Sequence, residues 1–222
     1  MKIDIKKYFP SINHEILIEM LDKKIECQEM MQLLIQLIAN SNQQEDAFFY
    51  FDGDTLLTPY DRRKGIPLGN LTSQFFGNWY LNQLDHHVKE KLRIKGYIRY
   101  VDDMTFFDNS KVFLEDLVLI LDDALQKFRL KIHPYKTVLQ KSSEGFVFLG
   151  HKVYSTHFRL TSKAINRGRK NLKKVRYEYQ YNKIDLHQAK NRIFGSIGFF
   201  KMGRNSFIAD ELLLQTTLKR NV

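Results

Sequence analysis

Alternating hydrophobic and polar side chains predict one short strand at the start of the chain and a pair of strands near its middle. Residues 2–5 alternate polar and apolar, as a half-buried strand does. Residues 96–101 and 104–107 are rich in the aromatic and β-branched side chains that favour paired strands. Asp102 and Asp103 lie between these two segments. The pattern therefore predicts a tight hairpin that carries two adjacent carboxylates.

Apolar residues at helical spacing predict most of the remaining elements. The predicted helices begin at residue 11 or 13 and then cover about residues 26–40, 71–92, 110–128, 162–181, 185–200 and 206–218. Ser11 or Asn13 can cap the first helix, and Ser110 can cap the fourth. The apolar face of the second helix is predicted to consist of Met30, Leu33, Leu34, Leu37 and Ile38. That of the third is predicted to consist of Phe75, Leu81, Leu84, Val88 and Leu92.

Further segments are predicted to be extended. Asp52-Gly53 is a strong turn signal between residues 48–51 and 55–57, which predicts a hairpin. Its aromatic residues could stack on nucleic-acid bases, but a packed hairpin face is the favoured interpretation. The other predicted strands are residues 129–132 and residues 145–154, the latter with a glycine bend and paired with residues 158–160.

The character of the chain changes after residue 160, from mixed strands and helices to helices alone. This change predicts two domains, residues 1–160 and residues 161–222. A hydrophobic content of 43%, with 17 Phe, suffices for a real core in a chain of 222 residues. The sequence as a whole therefore predicts an α+β fold.

The charge balance favours a polyanionic partner. The 35 Lys and Arg residues against 25 Asp and Glu residues give a formal net charge of +10, which makes nucleic acid the leading candidate. The predicted helix that begins at Ser162 concentrates cations, among them Lys163, Arg167 and Lys170. Such a helix could neutralise several phosphates, and a solvated helix face is the alternative interpretation.

Cys27 is the only cysteine, so the chain can form neither an intramolecular disulfide nor a thiolate zinc site. The N-terminus lacks the features of a signal peptide, and no apolar run approaches the roughly 20 residues that span a bilayer. We therefore expect a cytoplasmic protein without a membrane partner.

Asp102 and Asp103 are candidate ligands of a metal ion. Two carboxylates held close together repel each other unless a cation lies between them, and Mg²⁺ and Mn²⁺ prefer oxygen ligands. A polar turn without function is the alternative. Asp122-Asp123, on a predicted amphipathic helix, is interpreted as a pair of solvent-exposed acids without function. Asp4, at the end of the first strand, supplies a third acid. The three acids together favour the metal-binding hypothesis.

A basic loop over residues 62–70 contains Gly65 and Gly69 and precedes a predicted helix. Glycines let a backbone approach a ligand closely, and a helix N-terminus favours anions. The three cations that could contact phosphates there are Arg62, Arg63 and Lys64.

Five short motifs follow one another along the chain. They are Asp4 followed five residues later by Phe9, residues 65–74, Tyr100-Val101-Asp102-Asp103, Lys136-Thr137 and Phe148-Leu149-Gly150. Their order resembles the palm and thumb of reverse transcriptases. The resemblance implies a palm, an antiparallel sheet backed by helices, over residues 1–160 and a small helical thumb over residues 161–222. It also implies an RNA-directed DNA polymerase that adds dNTPs to a primer 3′ hydroxyl with two Mg²⁺ ions, for which Mn²⁺ can substitute.

The resemblance implies roles for individual residues as well. The catalytic set is Asp4, Asp102, Asp103 and Lys136, with Lys136 near the pyrophosphate as a proton donor or, alternatively, a plain turn lysine. The metal ligands are the carboxylates of Asp4, Asp102 and Asp103 and the carbonyl of Ile5. The nucleotide-binding residues are Phe9, Gly69, Gln74 and Tyr100, with Phe9 as the bulky gate against a ribose 2′ hydroxyl. The primer- and template-binding residues are Gly65, Pro67, Phe148, Leu149, Gly150, Lys163, Arg167 and Lys170.

An RNA template, a DNA or RNA primer and dNTPs are the implied partners. Ser73-Gln74 resembles the bacterial reverse transcriptases of diversity-generating retroelements, whereas group II intron and retron enzymes more often carry Ser-Pro or a similar pair there. We expect the fingers region that such enzymes place before the first aspartate to be missing, so that segment or an accessory protein is a further expected partner. The alternative hypothesis is a non-catalytic nucleic-acid-binding remnant or one part of a split enzyme. An RNA-templated RNA polymerase is less favoured, given Phe9 and the Tyr-Val-Asp-Asp motif.

Overall fold

The computed structural model describes residues 1–40, 47–67, 69–201 and 206–219, and the chain divides into two compact units, Met1–Leu139 and Gln140–Val222. The division lies earlier than the boundary near residue 160 that the change of composition predicts. Leu160, which ends the last strand, packs in the same core as Leu172 and Val175 of the following helix. The strands between residues 146 and 160 therefore group with the C-terminal helices.

A three-stranded antiparallel sheet organises the first unit. Its strands are β1 (Lys2–Asp4), β2 (Gly96–Tyr100) and β3 (Asp103–Phe107), in the order β1-β3-β2. The predicted hairpin of β2 and β3 is confirmed. In the register of β1 and β3, Ile3 lies opposite Met104 and Asp4 lies opposite Asp103. The pairing thus brings the first acid of the chain beside the hairpin turn.

Helices accompany this sheet in the first unit, and most of them share one core with it. They are α1 (Tyr8–Ser11), α2 (His14–Asp22), α3 (Gln28–Ala39), α4 (Thr58–Asp61), α5 (Leu71–Tyr80), α6 (Asn82–His86), a π-helix (His87–Lys91) and α7 (Lys111–Gln126). The core joins Ile3 and Phe106 of the sheet to Leu17, Leu84 and Leu121 of the helices. This arrangement confirms the α+β class.

The predicted caps also form. The side chain of Asn13 accepts a hydrogen bond from the Ile16 N–H (3.0 Å), and that of Ser110 accepts one from the Phe113 N–H (3.2 Å). Among the described residues, no helix is both long and apolar enough to cross a membrane.

Two predicted helix faces are wrong in part. On α3, Met30, Leu33 and Leu37 are exposed, whereas Met31 and Ile38 are buried. The helix is apolar on more than one side, so its periodicity could not decide which side packs against α2. The predicted helix over residues 71–92 is divided into α5, α6 and the π-helix. Of its predicted apolar face, Phe75 is exposed, whereas Leu81, Leu84 and Val88 are buried.

The segment over residues 47–57 turns at Asp52-Gly53 but forms no strand in its described residues, so the predicted hairpin is wrong. The Asp54 N–H donates to the Phe51 carbonyl (3.0 Å), and cations rather than a partner strand surround the Phe51 ring. These cations are Arg62, Arg129 and Lys131, each 5.3–5.5 Å from the ring centroid. Contacts distant in sequence therefore determine this segment.

Residues 131–138 run along the free edge of β1. The Lys6 N–H donates to the Lys131 carbonyl and the His133 N–H donates to the Asp4 carbonyl, both at 2.8 Å. Further along, Lys2 and Val138 exchange two backbone hydrogen bonds. The predicted strand over residues 129–132 is thus reduced to an isolated bridge between Ile5 and Ile132.

The second unit contains an antiparallel sheet of β4 (Phe146–Phe148), β5 (His151–Val153) and β6 (Phe158–Leu160), followed by α8 (Ser162–Gln180), α9 (Leu186–Lys201) and α10 (Ser206–Gln215). The single bent strand predicted over residues 145–154 is instead two strands. Leu149 (φ 49°) and Gly150 (φ 82°) both lie in the left-handed region, which turns the chain back on itself.

Candidate active site

Three aspartates gather at one end of the first sheet. Asp4 ends β1, and its register partner Asp103 begins β3. Asp102 lies in the turn between β2 and β3, directly after Val101, whose φ is 56°. A turn releases consecutive side chains from the strict alternation of a strand, so both acids of the pair can act near Asp4.

The pKa of Asp102 is affected by the other two aspartates. Burial raises the pKa of its carboxyl group, and the negative charges of Asp4 and Asp103 raise it as well. A backbone N–H and the charge of Lys136 oppose these effects without cancelling them. These surroundings disfavour a charged Asp102 carboxyl, and a bound cation would offset the repulsion from Asp4 and Asp103.

Two lysines pair with the other acids of the cluster. The Lys136 ammonium lies 3.1 and 3.3 Å from the two carboxylate oxygens of Asp4. The Lys2 ammonium lies 2.9 Å from Asp103 Oδ2. Lys136 reaches Asp4 because residues 131–138 follow the edge of β1. The structure thus brings together all four residues of the predicted catalytic set.

The donor set suits a hard divalent cation, but its arrangement is that of a lysine-paired cluster. Within residues 1–40, 47–67, 69–201 and 206–219, no group of three His, Cys, Asp or Glu side chains is arranged to hold a metal ion. Instead, Lys2 neutralises Asp103 and Lys136 neutralises Asp4. The bridge beside Ile5 uses the backbone atoms of Asp4 and Lys6, so it does not engage the Ile5 carbonyl that the prediction assigns to a metal.

A cavity of about 610 Å³ opens beside the aspartate turn. Its lining residues are Phe9, Gly69, Asn70, Ser73, Gln74, Asn78, Arg99, Tyr100 and Val101. All four residues predicted to bind the nucleotide are among them. The cavity is therefore lined by residues of α1, of the segment that leads into α5, of α5 itself and of the hairpin β2–β3.

Phe9 reaches this cavity because α1 and α5 approach each other closely at Gly77. A Cβ atom on Gly77 would lie 3.1 Å from Phe9 Cε1, and the Tyr8 hydroxyl donates a hydrogen bond to the Gly77 carbonyl. Gly77 was not among the predicted site residues. A glycine inside a helical pattern is the sequence signal that could have identified it.

The basic loop is largely committed to internal contacts. Gly65 is buried, its N–H donates to the Ile12 carbonyl (2.8 Å), and its carbonyl lies 2.7 Å from His14 Nε2. The prediction that this glycine approaches nucleic acid is not supported by that geometry. Pro67 is partly exposed beside it.

Two of the three loop cations are likewise structural. The Arg62 guanidinium lies 2.5 Å from Asp54, whose side chain is only 2% exposed. Lys64 is buried, and its ammonium donates to the Pro59 carbonyl (2.5 Å). Both side chains are therefore engaged in contacts within the protein, whereas Arg63 is the exposed member of the trio, and contact of the loop with phosphate stays a prediction.

A second cavity, of about 1090 Å³, lies within the second unit. Five predicted primer- and template-binding residues line it: Leu149, Gly150, Lys163, Arg167 and Lys170. Phe148 is partly buried on β4 and is not among its lining residues. Lys174 of α8 and Arg192 of α9 add two cations, and Phe199 and Phe200 add apolar surface. The cavity thus combines cationic and aromatic groups, as sites for nucleic acid do.

Residues 1–153 match the model of the family described as reverse transcriptase (RNA-dependent DNA polymerase). The chain belongs to this reverse transcriptase family. Reverse transcriptases generally use divalent metal ions, and the match contains the three aspartates, the cavity beside them and the β4–β5 turn. The cations of α8 lie beyond it, so their assignment rests on the second cavity alone.

Solved structures show the same fold. One is apo telomerase from Candida tropicalis, truncated from the C-terminal domain (TM-score 0.51, 20% identity, 72% of this chain and 35% of that chain). Another is telomerase from the same organism in complex with a TWJ fragment of telomeric RNA (TM-score 0.51, 13% identity, 96% of this chain and 38% of that chain). The chain thus spans little more than a third of the length of these structures. No curated protein sequence matches it significantly.

Proposed function

We propose that the protein is an RNA-directed DNA polymerase that adds dNTPs to the 3′ hydroxyl of a primer. The observation that carries the proposal is that Asp4, Asp102 and Asp103 lie together at one end of a sheet, beside a cavity whose lining includes Val101. A nucleotide bound in that cavity would place its phosphates near the carboxylates.

Asp4 and Asp102 would hold two Mg²⁺ ions, with Asp103 and the Ile5 carbonyl as further ligands. Such ions, for which Mn²⁺ can substitute, would lower the pKa of the attacking hydroxyl and neutralise charge on the leaving pyrophosphate. The repulsion that Asp4 and Asp103 exert on the Asp102 carboxylate supports this assignment, because a bound cation would offset it. Without such ions, Lys2 and Lys136 supply the counter-charges of Asp103 and Asp4.

The remaining residues of the site select and orient the substrates. Phe9 would fill the space of a ribose 2′ hydroxyl, and Gln74 and Tyr100, which line the same cavity, would contact the nucleotide. Lys136, once released from Asp4, would donate a proton to the pyrophosphate. An RNA template and a DNA or RNA primer would lie along the cations Lys163, Arg167 and Lys170. Ser73-Gln74 supports a bacterial enzyme of the retroelement type.

One observation favours a second candidate, a nucleic-acid-binding module without catalysis. The lysine pairs of Asp4 and Asp103 neutralise acids that a polymerase needs for metal ions. A module of this kind would bind template and primer through its cationic groups alone, with or without a divalent ion.

Primer extension on an RNA template distinguishes the two candidates. The polymerase hypothesis predicts product with dNTPs and Mg²⁺ and none with EDTA, while template-primer binding persists in both. Unextended primer in every condition, together with tight metal-independent binding, would contradict the polymerase and favour the module. A longer form of the protein, assayed in parallel, shows whether a segment beyond this chain is needed.

A further inference from the structure

Arg99 lines the cavity of about 610 Å³ and contacts the backbone of the aspartate turn. It lies on β2, and its side chain is only 10% exposed. A guanidinium has five N–H donors in a fixed fork. Its acceptors here are Asp85 Oδ1 (2.8 Å from Nε), Asp85 Oδ2, the Asn78 carbonyl (3.3 Å from Nη2), Asn78 Oδ1 (3.4 Å from Nη1) and the Val101 carbonyl (2.9 Å from Nη1). Five acceptors thus match five donors.

This arrangement makes Arg99 a structural cation rather than a ligand-binding one. Asp85 of α6 neutralises its charge and is itself held by the Tyr97 hydroxyl, which donates to Asp85 Oδ1 (2.7 Å). Burial and this hydrogen bond raise the pKa of Tyr97, so the hydroxyl remains a donor. With Asn78 of α5 as the other anchor, two helices fix the position of the guanidinium.

The remaining contact of Arg99 is with the backbone of the aspartate turn. The Val101 carbonyl belongs to the peptide group that joins Val101 to Asp102. Val101 has φ 56°, a left-handed conformation that β-branched residues rarely adopt. A turn held in an unfavourable conformation needs surrounding contacts that maintain it. The hydrogen bond from Arg99 is such a contact, and it acts on the peptide plane next to Asp102.

We propose that Arg99 is a positioning residue that locks the Val101–Asp102 peptide and so directs the Asp102 carboxylate towards Asp4 and Asp103. The same guanidinium anchors α5, whose Ser73 and Gln74 line the cavity. Arg99 therefore fixes the distance between the nucleotide-binding wall and the carboxylates. The kinetic part of this inference rests on the proposed polymerase function, whereas its structural part does not.

The variant Arg99→Lys tests the proposal, because lysine keeps the charge but cannot make five contacts from one plane. Arg93→Lys is the matched control, since Arg93 is an exposed arginine just before the same strand. Pre-steady-state burst extension, with primer–template in excess over the protein, separates the rate constant of incorporation from the active fraction. The rate constant should fall on the order of 10- to 100-fold in Arg99→Lys. The burst amplitude and the Kd for primer–template should stay unchanged, as should all three quantities in Arg93→Lys.

Hydrogen exchange of the metal-free protein provides a readout that does not depend on activity. Faster exchange confined to the amides around Val101–Asp103 in Arg99→Lys is the expected result. An unchanged rate constant, a loss of burst amplitude alone, or exchange that is unaltered at the turn would overturn the positioning role. If the wild-type protein extends no primer, the proposed function fails, and the exchange at the turn still decides the inference.

Discussion

Asp102 differs from the other adjacent aspartates of the chain in its surroundings rather than in its sequence. Asp122 and Asp123 lie on α7, where Asp123 is exposed. Asp102 instead lies in a turn close to Asp4 and Asp103, and burial together with their charges raises its pKa. The dipeptide alone therefore cannot identify the site, whereas the strands on both sides of it can.

The proposed role of Phe9 as a gate against ribonucleotides can be tested with a single substitution. Replacing Phe9 with Ala should open the space that a ribose 2′ hydroxyl would occupy. The discrimination between dNTPs and rNTPs should then fall roughly 10- to 100-fold, measured as the ratio of kcat/KM values. Phe75→Ala is the control, because Phe75 lies exposed on α5 and is not among the lining residues. Unaltered rejection of rNTPs by a folded Phe9→Ala variant would remove the gate assignment.

At the scale of elements, local contacts were predictable and distant ones were not. The hairpin β2–β3 and the caps of α2 and α7 depend on neighbouring residues, and the structure confirms them. The segment over residues 47–57 was predicted wrongly because Arg129, 75 residues from Asp54, helps to determine its conformation. No periodicity reports a contact of that kind.

Asp54 anchors this segment and should make it sensitive to acid. Burial alone would raise the pKa of the Asp54 carboxyl, but hydrogen bonds from Arg62 and the Phe51 N–H and the charges of Arg62 and Arg129 hold it below its ordinary value. A carboxyl whose pKa is lower in the folded state stabilises the fold above the unfolded pKa of about 3.9, and this stabilisation disappears as pH falls through the folded pKa.

Asp54→Asn should therefore lower the free energy of unfolding by about 3–5 kcal/mol at neutral pH, because it leaves Arg62 buried without a counter-charge. The difference from wild type should shrink as the pH approaches about 3. Urea unfolding at several pH values measures both quantities, with the exposed Asp52→Asn as control. A pH-independent difference would contradict the role of the ion pair.

Gly168 tests the packing of α8 on α9 in the second unit. A Cβ atom there would lie 2.1 Å from Cζ of the buried Phe200, so Gly168→Ala should destabilise the unit by about 1–3 kcal/mol. Gly198 of α9 has open space around its Cβ position, and Gly198→Ala should stabilise by about 0.5–1 kcal/mol. Thermal unfolding measures the stability of both variants. Equal effects of the two substitutions would contradict the close approach of Gly168 to the Phe200 ring.

At the scale of the molecule, the order of motifs predicted the family, and the roles of the individual site residues stay predictions. The four catalytic and four nucleotide-binding residues named from the sequence surround one region of the first unit. Arg99, Asp85 and Gly77 were missed, because their roles are hydrogen bonds and close approach between elements distant in sequence. The internal contacts of the basic loop were missed for the same reason, since Arg62 and Lys64 bind inside the fold.

The second cavity makes a prediction about salt. If Lys163, Arg167 and Lys170 contact phosphates, replacing all three with Gln should reduce the slope of log K against log salt by about three, roughly one per contact. A control with the same charge change replaces Lys24, Lys91 and Lys111, which are exposed in the first unit. Binding of a primer–template duplex at several salt concentrations measures both slopes. Equal reductions of the slope in the two triple variants would show that only net charge matters and would contradict phosphate contacts at the cavity.

The most direct test compares the two aspartate pairs of the chain in primer extension on an RNA template with Mg²⁺. The double variant Asp102→Asn and Asp103→Asn should lose extension while it keeps its melting temperature and its affinity for primer–template. The double variant Asp122→Asn and Asp123→Asn carries the same change in charge on α7 and should extend primers as the wild type does. Normal extension by the Asp102/Asp103 variant would contradict the assignment of catalysis to the carboxylate cluster.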